Sequence, residues 1–275
     1  MSLSVNTNTG AMIALQYLNK TSAELNATQN HINSGLKIAT AKDNGAIFAI
    51  AQNMRGDVSA FHAVSDSLNR AISATDVAMN AGQAVSDLLV EMKGKAVAAA
   101  DISLDTASRD ALSEDFDSLR DQITNILENA TFNGVNLVDG TSSSLTALIS
   151  ADGGSTITIA GEDMSLGSSI VTISSGATLS TAAASSTMIS TINTSLENVN
   201  AALARLGSKS KQLSIQNEFI SKLIDTLNGG IGNLVDADLA KESAMLQSLQ
   251  VKQQLGVQAL SIANSAPGIA LSLFR

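Results

Sequence analysis

The chain has 275 residues, 44% of them hydrophobic and 3% aromatic, with one Pro and no Trp. This composition favours long helices packed side by side over a sheet-rich globule. The net charge of −9 argues against a nucleic-acid partner, and the absence of Cys excludes disulfides, thiolate metal sites and a Cys nucleophile. Residues 1–10 lack the features of a cleavable signal peptide, and no membrane insertion is expected because the uncharged run 164–196 is rich in Ser, Thr and Gly.

The first predicted helix spans residues 6–32. Its apolar stripe follows a heptad spacing formed by Leu18, Leu25 and Ile32, with Met12 and Leu15 expected to extend it. A stripe this narrow does not hold a lone helix in water, so the helix needs a partner.

The helical pattern breaks after residue 32. Gly35 is a plausible helix stop, and Asp43 or Asn44 is a plausible N-cap for the helix that follows. We therefore predict an ordered connector between two helical layers, carried by Ser34, Gly35, Lys37 and Asp43.

Two helices are predicted next. Apolar residues recur at steps of three and four from about residue 45 to 99, which predicts one helix of roughly 80 Å at 1.5 Å per residue. That length suits a rod rather than a compact domain. A second amphipathic helix follows the turn at residues 101–105, and the turn at Asn133-Gly134 closes this part of the chain.

The segment from Val135 to Thr181 is rich in Ser, Thr and Gly. Two alternating pieces, Thr156–Ile159 and Ile170–Ile173, predict two or more short hairpins in a small β insert. Whether its hydroxyl groups carry O-linked sugar stays open.

Helix resumes near residue 184 and is predicted to end at Asn228-Gly229-Gly230, before a last helical segment over residues 231–275. Asp236 and Asp238 are interpreted as N-terminal capping residues of the last helix rather than as a cation site. Its heptad seam consists of Leu239, Leu246 and Leu260, interrupted by Gln253, together with Leu249, Gly256, Ala263 and Ala270.

The weak seams at the two ends of the chain are natural partners in a coiled coil. Small residues such as Gly256 and Ala263 would let the first helix approach the last one closely. The alternative is a pair of independent, frayed terminal helices. The fold class expected is mainly α, an elongated helical rod with paired terminal helices and a small β-hairpin insert.

The sequence contains no recognisable set of catalytic or metal-binding residues. His31 and His62 have no second histidine at metal-ligand spacing, and each is interpreted as a surface or interface residue. Phosphate-binding and nucleophile-elbow motifs are missing as well. We therefore expect no catalytic residue, no cofactor and no metal site.

Several motifs at both ends resemble bacterial flagellin, the filament subunit of the flagellum, over roughly residues 2–140 and 187–275. They are Asn6-Thr7-Asn8 with Ala11-Met12, Ser34-Gly35-Leu36-Lys37-Ile38 with Ala41-Lys42-Asp43, Thr131-Phe132-Asn133-Gly134, Asp236-Ala237-Asp238 with Ala240 and Glu242, and Ala263-Asn264 with Pro267 and Leu271-Ser272-Leu273-Phe274-Arg275. The chain resembles short, alphaproteobacterial flagellins. Because the insert between the two halves is short, we expect the large outer domains of long flagellins to be absent.

The resemblance implies a secreted structural subunit that polymerises into an extracellular filament for motility. Its partners would be copies of itself, the flagellar type III export apparatus with a secretion chaperone, and the filament cap and hook-junction proteins. The chain then divides into 1–44 and 231–275 as filament-core helices, 45–134 and 184–230 as rod, and 135–183 as insert. The polymerisation interface would comprise Leu18, Leu25, Ile32, Leu239, Leu246, Leu249, Gly256, Leu260 and Ala263.

Three alternatives remain at this point. A flagellin-like protein of the hook–filament junction has the same architecture, and a soluble coiled-coil adhesin or signalling module has similar helices. An enzyme-bearing flagellin would carry a metallopeptidase motif in its insert, which contains no His between Val135 and Thr181. The segment Val90–Ala96 departs from the Arg-rich pattern that the animal immune receptor binds in many flagellins, so we do not expect that recognition.

Overall fold

The computed structural model describes residues 7–142 and 144–272, with side chains of the last helix to residue 265. The fold is mainly α with small antiparallel strand pairs, which confirms the predicted class. The elements, in chain order, are α1 (Thr9–Ser34), α2 (Gly45–Ala99), α3 (Thr106–Asn129), β1 (Thr131–Phe132), β2 (Val135–Asn136), β3 (Ser144–Leu148), β4 (Thr156–Ala160), α4 (Ala182–Val235) and α5 (Leu239–Ser272).

The chain forms two compact units. Met1–Gly56 and Thr226–Arg275 make the first, here called the terminal unit, and Asp57–Asp225 makes the second, here called the central unit. α2 and α4 contribute residues to both units, whereas α1 and α5 belong to the terminal unit alone.

The central unit contains a continuous apolar core. α3 buries one face, formed by Phe116, Leu119, Ile123 and Leu127. The core includes residues of α2 such as Leu89 and of α4 such as Leu206, both 0–1% exposed. α2 and α4 approach closely at Gly82, where a Cβ atom would lie 2.8 Å from Leu203 Cδ2. The apolar residues that recur every three or four positions along these helices therefore correspond to a buried face, as predicted.

Two hairpins cover part of this core. β1 and β2 pair around Asn133 and Gly134, which both have positive φ, 51° and 78°. That conformation is the reason for the Asn-Gly dipeptide, because Gly and Asn tolerate positive φ. β3 and β4 pair antiparallel with Leu145 opposite Ile159, so the strand predicted at Thr156–Ile159 is confirmed.

The second predicted strand, Ile170–Ile173, is wrong. It forms a single bridge, between Val171 and Leu166, and no ladder among the described residues. Thr172 N donates instead to Ser195 Oγ on α4 at 3.0 Å. Ile170, Val171 and Ile173 are 8% exposed or less, so the apolar residues of this segment pack into the core without pairing along a strand.

The predicted end of α4 at Asn228-Gly229-Gly230 is also wrong, because the helix continues to Val235. Ile231 and Val235 are 7% and 1% exposed, so burial of one helix face continues past the glycines. A Cβ atom at Gly230 would lie 3.0 Å from Met54 Cε. In the terminal unit this glycine therefore makes room for a side chain of α2, which offsets its cost of about 1 kcal/mol relative to Ala.

Candidate polymerisation interface

α1 and α5 pair antiparallel in the terminal unit. Three polar contacts among the described residues mark the register: Asn8 with Ala263, Ser22 with Gln253, and His31 with Glu242. Between them, Leu18 packs over Gly256, where a Cβ atom would lie 3.3 Å from Leu18 Cδ1. The small residue thus sets the distance between the helices, as its heptad position predicts.

Most predicted seam residues lie at this contact. Leu25 and Leu249 are buried, at 8% and 1% exposure. Six others are half-buried: Leu18, Ile32, Leu246, Gly256, Leu260 and Ala263. The side chain of Ala270, the last predicted seam position, lies outside the described residues. The seam is thin, because only two of its described large apolar side chains are buried.

Three residues assigned to the stripes lie off the seam. Leu239 is 50% exposed. α1 ends at Ser34, so the connector rather than α1 lies beside the start of α5, and Gly35 O accepts a hydrogen bond from Ala237 N there. Met12 and Leu15 are 64% and 47% exposed. They are exposed to solvent rather than buried against α5, so the prediction that they extend the seam is wrong.

The sequence reasoning missed the small and polar residues of the seam. Ala11, Ala14 and Thr21 are half-buried and Thr28 is 6% exposed. Together with Leu18, Leu25 and Ile32 they complete an uninterrupted spacing of three and four. Counting Ala and Thr as seam residues would have found them.

The connector is tied to both α1 and α4. Gly35 takes φ 70° as the C-cap of α1, and Lys37 N donates to Val235 O at 2.7 Å. Ile38 is 6% exposed and anchors the segment. Asn44 Oδ1 accepts from Ile47 N at 3.1 Å, so Asn44 is the residue that caps α2.

Asp43 closes the turn of the connector. Its Oδ2 accepts hydrogen bonds from Thr40 N at 2.9 Å, Thr40 Oγ1 at 3.2 Å and Ala39 N at 3.0 Å. These bonds, led by the one from the Thr40 backbone, hold the pKa of the Asp43 carboxyl below its ordinary value, and nearby His31 contributes a smaller effect.

One ionisable pair joins the two helices of the seam. His31 Nδ1 lies 3.3 Å from Glu242 Oε1, and the two side chains are 24% and 20% exposed. His31 is in the last turn of α1 and Glu242 in the first turn of α5. The contact therefore joins the C-terminal end of α1 to the N-terminal end of α5.

α5 carries a second apolar row on the side opposite α1. At 100° per residue, Val251, Leu255 and Ile262 lie roughly 200–240° around the helix from buried Leu249. They are 55%, 59% and 65% exposed. Within the described residues nothing covers this row, so α5 has one face that is paired and one that is available.

The first turns of α1 are apolar on several sides. Met12, Ile13, Leu15 and Tyr17 are 64%, 54%, 47% and 67% exposed. A helix in a monomeric protein normally turns polar residues to the solvent.

None of the helices, as far as the structure describes them, combines the length and apolar character that a membrane crossing requires.

Comparison with known proteins identifies this architecture. Residues 5–143 match the family model described as bacterial flagellin N-terminal helical region, and residues 189–274 match the one described as bacterial flagellin C-terminal helical region. Flagellin FljM of Caulobacter vibrioides is 55% identical over 272 residues, which cover 99% of this chain and 98% of that protein.

Two solved structures have a similar fold. Bacillus cereus flagellin matches with a TM-score of 0.50 and 24% identity, covering 56% of this chain and 88% of that one. A putative flagellar hook-associated protein from Vibrio parahaemolyticus matches with a TM-score of 0.61 and 16% identity, covering 70% and 100%. At these identities the structures support the fold alone. The two family matches and the full-length similarity to FljM show that this chain belongs to the bacterial flagellin family.

Proposed function

We propose that the chain assembles with copies of itself into the flagellar filament through the exposed apolar surfaces of α1 and α5. The observation that carries this proposal is the second row on α5, formed by Val251, Leu255 and Ile262, each more than half exposed. Burying such a side chain contributes about 1.5–3 kcal/mol. Neighbouring copies would supply that burial, and the role of the chain is structural rather than catalytic.

The nine predicted residues divide into two classes under this proposal. The seam residues Leu18, Leu25, Ile32, Leu246, Leu249, Gly256, Leu260 and Ala263 hold α1 against α5. Leu239 stays exposed and would meet a neighbouring copy. The seam thus forms the pair, and the outward residues join pairs from different copies.

The same proposal implies where the chain is located and which proteins it contacts. It would be exported by the flagellar type III apparatus with a secretion chaperone, and it would add to an extracellular filament beneath a cap and beyond hook-junction proteins. The segments 1–44 and 231–275 would form the filament core, 45–134 and 184–230 the rod, and 135–183 the exposed insert. Family membership supports this arrangement, and the thin seam is consistent with subunits that become fully ordered only on assembly.

A truncation tests the proposal. Removing residues 251–275 deletes the second row while leaving every residue of the central unit, Asp57–Asp225, in place. We expect a helical, cooperatively unfolding protein that forms no filaments by negative-stain electron microscopy, whereas the intact chain forms long ones. Filaments grown from the truncated chain would contradict the proposal.

The same microscopy separates the other candidates. A hook–filament junction protein would form short, limited assemblies even as the intact chain, and a coiled-coil adhesin or signalling module would form reversible small oligomers. Native mass measurements of the soluble intact chain complete the comparison, because they distinguish a monomer that polymerises on seeds from a stable small oligomer.

A further inference from the structure

Asn8 uses both ends of its side-chain amide at the start of α1. Oδ1 accepts a hydrogen bond from Ala11 N at 3.0 Å and so caps the helix. Nδ2 donates to Ala263 O of α5 at 2.7 Å. A single half-buried residue therefore closes the first turn of one helix and fastens it to the other.

The register of α1 on α5 needs such a contact. Heptad seams match again after a shift of seven residues, and the Ala, Thr and Gly residues interspersed in this seam reduce the steric resistance to that shift. At the connector, the register is fixed by backbone bonds, Ala237 N to Gly35 O at 2.9 Å and Lys37 N to Val235 O at 2.7 Å. Near the other end of the pair, Asn8 makes a polar contact with α5 among the described residues.

The intervening polar contacts are weaker. Gln253 Nε2 reaches Ser22 Oγ at 3.4 Å, near the limit of hydrogen-bond geometry. His31 and Glu242 lie beside the connector, where the backbone already sets the register. The 26 residues of α1 separate the connector from Asn8. The hydrogen bond from Asn8 to Ala263 therefore fixes the register at the end of the pair that is far from the connector, and we call this contact the lock.

We propose that Asn8 is a positioning residue that couples the capping of α1 to its docking on α5 in one register. The amide suits both tasks, because Asp and Ser also cap a helix but Asp has no proton to donate and Ser is shorter. The residue sets the geometry of the end of the pair, and the consequence for filament growth rests on the proposed function.

Three variants separate the two roles. Asn8→Asp keeps the cap and loses the donor, Asn8→Ser keeps the cap and shortens the reach, and Asn8→Ala loses both. Loss of one neutral hydrogen bond, about 1 kcal/mol, corresponds to an approximately fivefold lower ratio of locked to unlocked ends. Loss of the cap adds about another fivefold, so Asn8→Ala is expected to have the largest effect.

Paired nitroxide labels measure the lock directly, because the chain contains no Cys of its own. Labels on Thr9→Cys and Ser265→Cys report the far end, and labels on Asn33→Cys and Ser243→Cys report the end near the connector; all four positions are exposed. Distances are measured in the soluble full-length chain and in seeded filaments, with labelled copies diluted among unlabelled ones. The Asn8 variants should broaden the first distance distribution and leave the second unchanged.

Asn19→Asp is the charge-matched control, since Asn19 is exposed on the same helix. The proposal is overturned if Asn8→Asp gives the wild-type distribution in both states, if Asn19→Asp broadens it equally, or if the wild-type far end is already broad in both. Filament growth is scored separately. A distribution that depends on Asn8 in a chain that never polymerises supports the lock and contradicts the proposed function.

Discussion

The central unit buries many large apolar side chains in one core, whereas the α1–α5 pair of the terminal unit buries few. In the central unit, Phe116, Leu89, Met92 and Ile123 are completely buried. In the terminal unit, the α1–α5 pair buries Leu25 and Leu249 but leaves Ile262 65% exposed. The central unit therefore has the core of an independent domain, whereas the helices of the terminal unit have apolar surface that the single chain does not cover among its described residues.

This difference separates two sources of stability. A central residue contributes through burial that exists in one copy, so its loss should reduce the free energy of unfolding of the monomer. An outward residue of α1 or α5 contributes only when another copy covers it, so its loss should reduce assembly and leave the monomer unchanged. Substitutions in the two units therefore test whether these two sources of stability are separate.

The largest effect on the monomer is expected in the central unit. Phe116→Ala removes a fully buried ring and should lower the free energy of unfolding by about 3–5 kcal/mol. Ile102→Ala is the control, because Ile102 is 90% exposed in the turn before α3 and should change stability by less than about 0.5 kcal/mol. Chemical denaturation followed by circular dichroism measures both. Equal losses for the two variants would show that the central unit has no dominant core.

A smaller effect on the monomer is expected in the terminal unit. Leu246→Glu places a charge in the seam facing α1, and Val251→Glu places one in the outward row of α5. Leu246→Glu should loosen the pair while the central unit unfolds within about 1 kcal/mol of wild type. Val251→Glu should leave the pair intact, and both should abolish filaments.

Seeded elongation and amide exchange of α1 check this second prediction. Exchange in α1 should accelerate for Leu246→Glu and stay at the wild-type rate for Val251→Glu. A large drop in the stability of the central unit with either variant would argue that the terminal helices stabilise the monomer, and the proposed division of roles would be wrong. Normal filaments from Val251→Glu would remove the outward row from the interface.

Much of the fold follows from the sequence because its helices are long and strongly periodic. The bounds of α2, Gly45–Ala99, agree with the prediction, and the heptads at both ends predicted the pairing of α1 with α5. The turn at Asn133-Gly134 was equally predictable, since its conformation requires residues that tolerate positive φ.

The errors arise where tertiary contacts override a local signal. Gly229-Gly230 is typical of a helix stop, yet burial of Ile231 and Val235 carries α4 through it. Ile170–Ile173 is typical of a strand, yet the hydroxyl group of Ser195 on α4 accepts a hydrogen bond from its backbone. The lock at Asn8 was beyond sequence reasoning, because its contact with Ala263 depends on how α1 and α5 approach each other.

The smallest effect is expected at the connector of the terminal unit and depends on pH. Asp43 accepts hydrogen bonds from Thr40 and Ala39 in its ionised form, and these bonds lower the pKa of its carboxyl. A carboxyl whose pKa is lower in the folded state stabilises that state. This stabilisation is fully present when the pH is above the pKa of the carboxyl in the unfolded chain, which is near 4. The stabilisation is then lost as the pH falls through the lower, folded-state pKa.

Amide exchange and NMR shifts of Ala39 and Thr40 between about pH 6 and pH 2 measure this loss. Both amides should become less protected in wild type as the pH falls below about 4. The Asp43→Asn variant replaces the carboxylate by an uncharged acceptor, so its protection should be lower at neutral pH and nearly independent of pH. A wild-type profile that is flat over this range would mean that the Asp43 turn does not depend on its charge, and the connector would then be held by Ile38 and the backbone bonds to Val235.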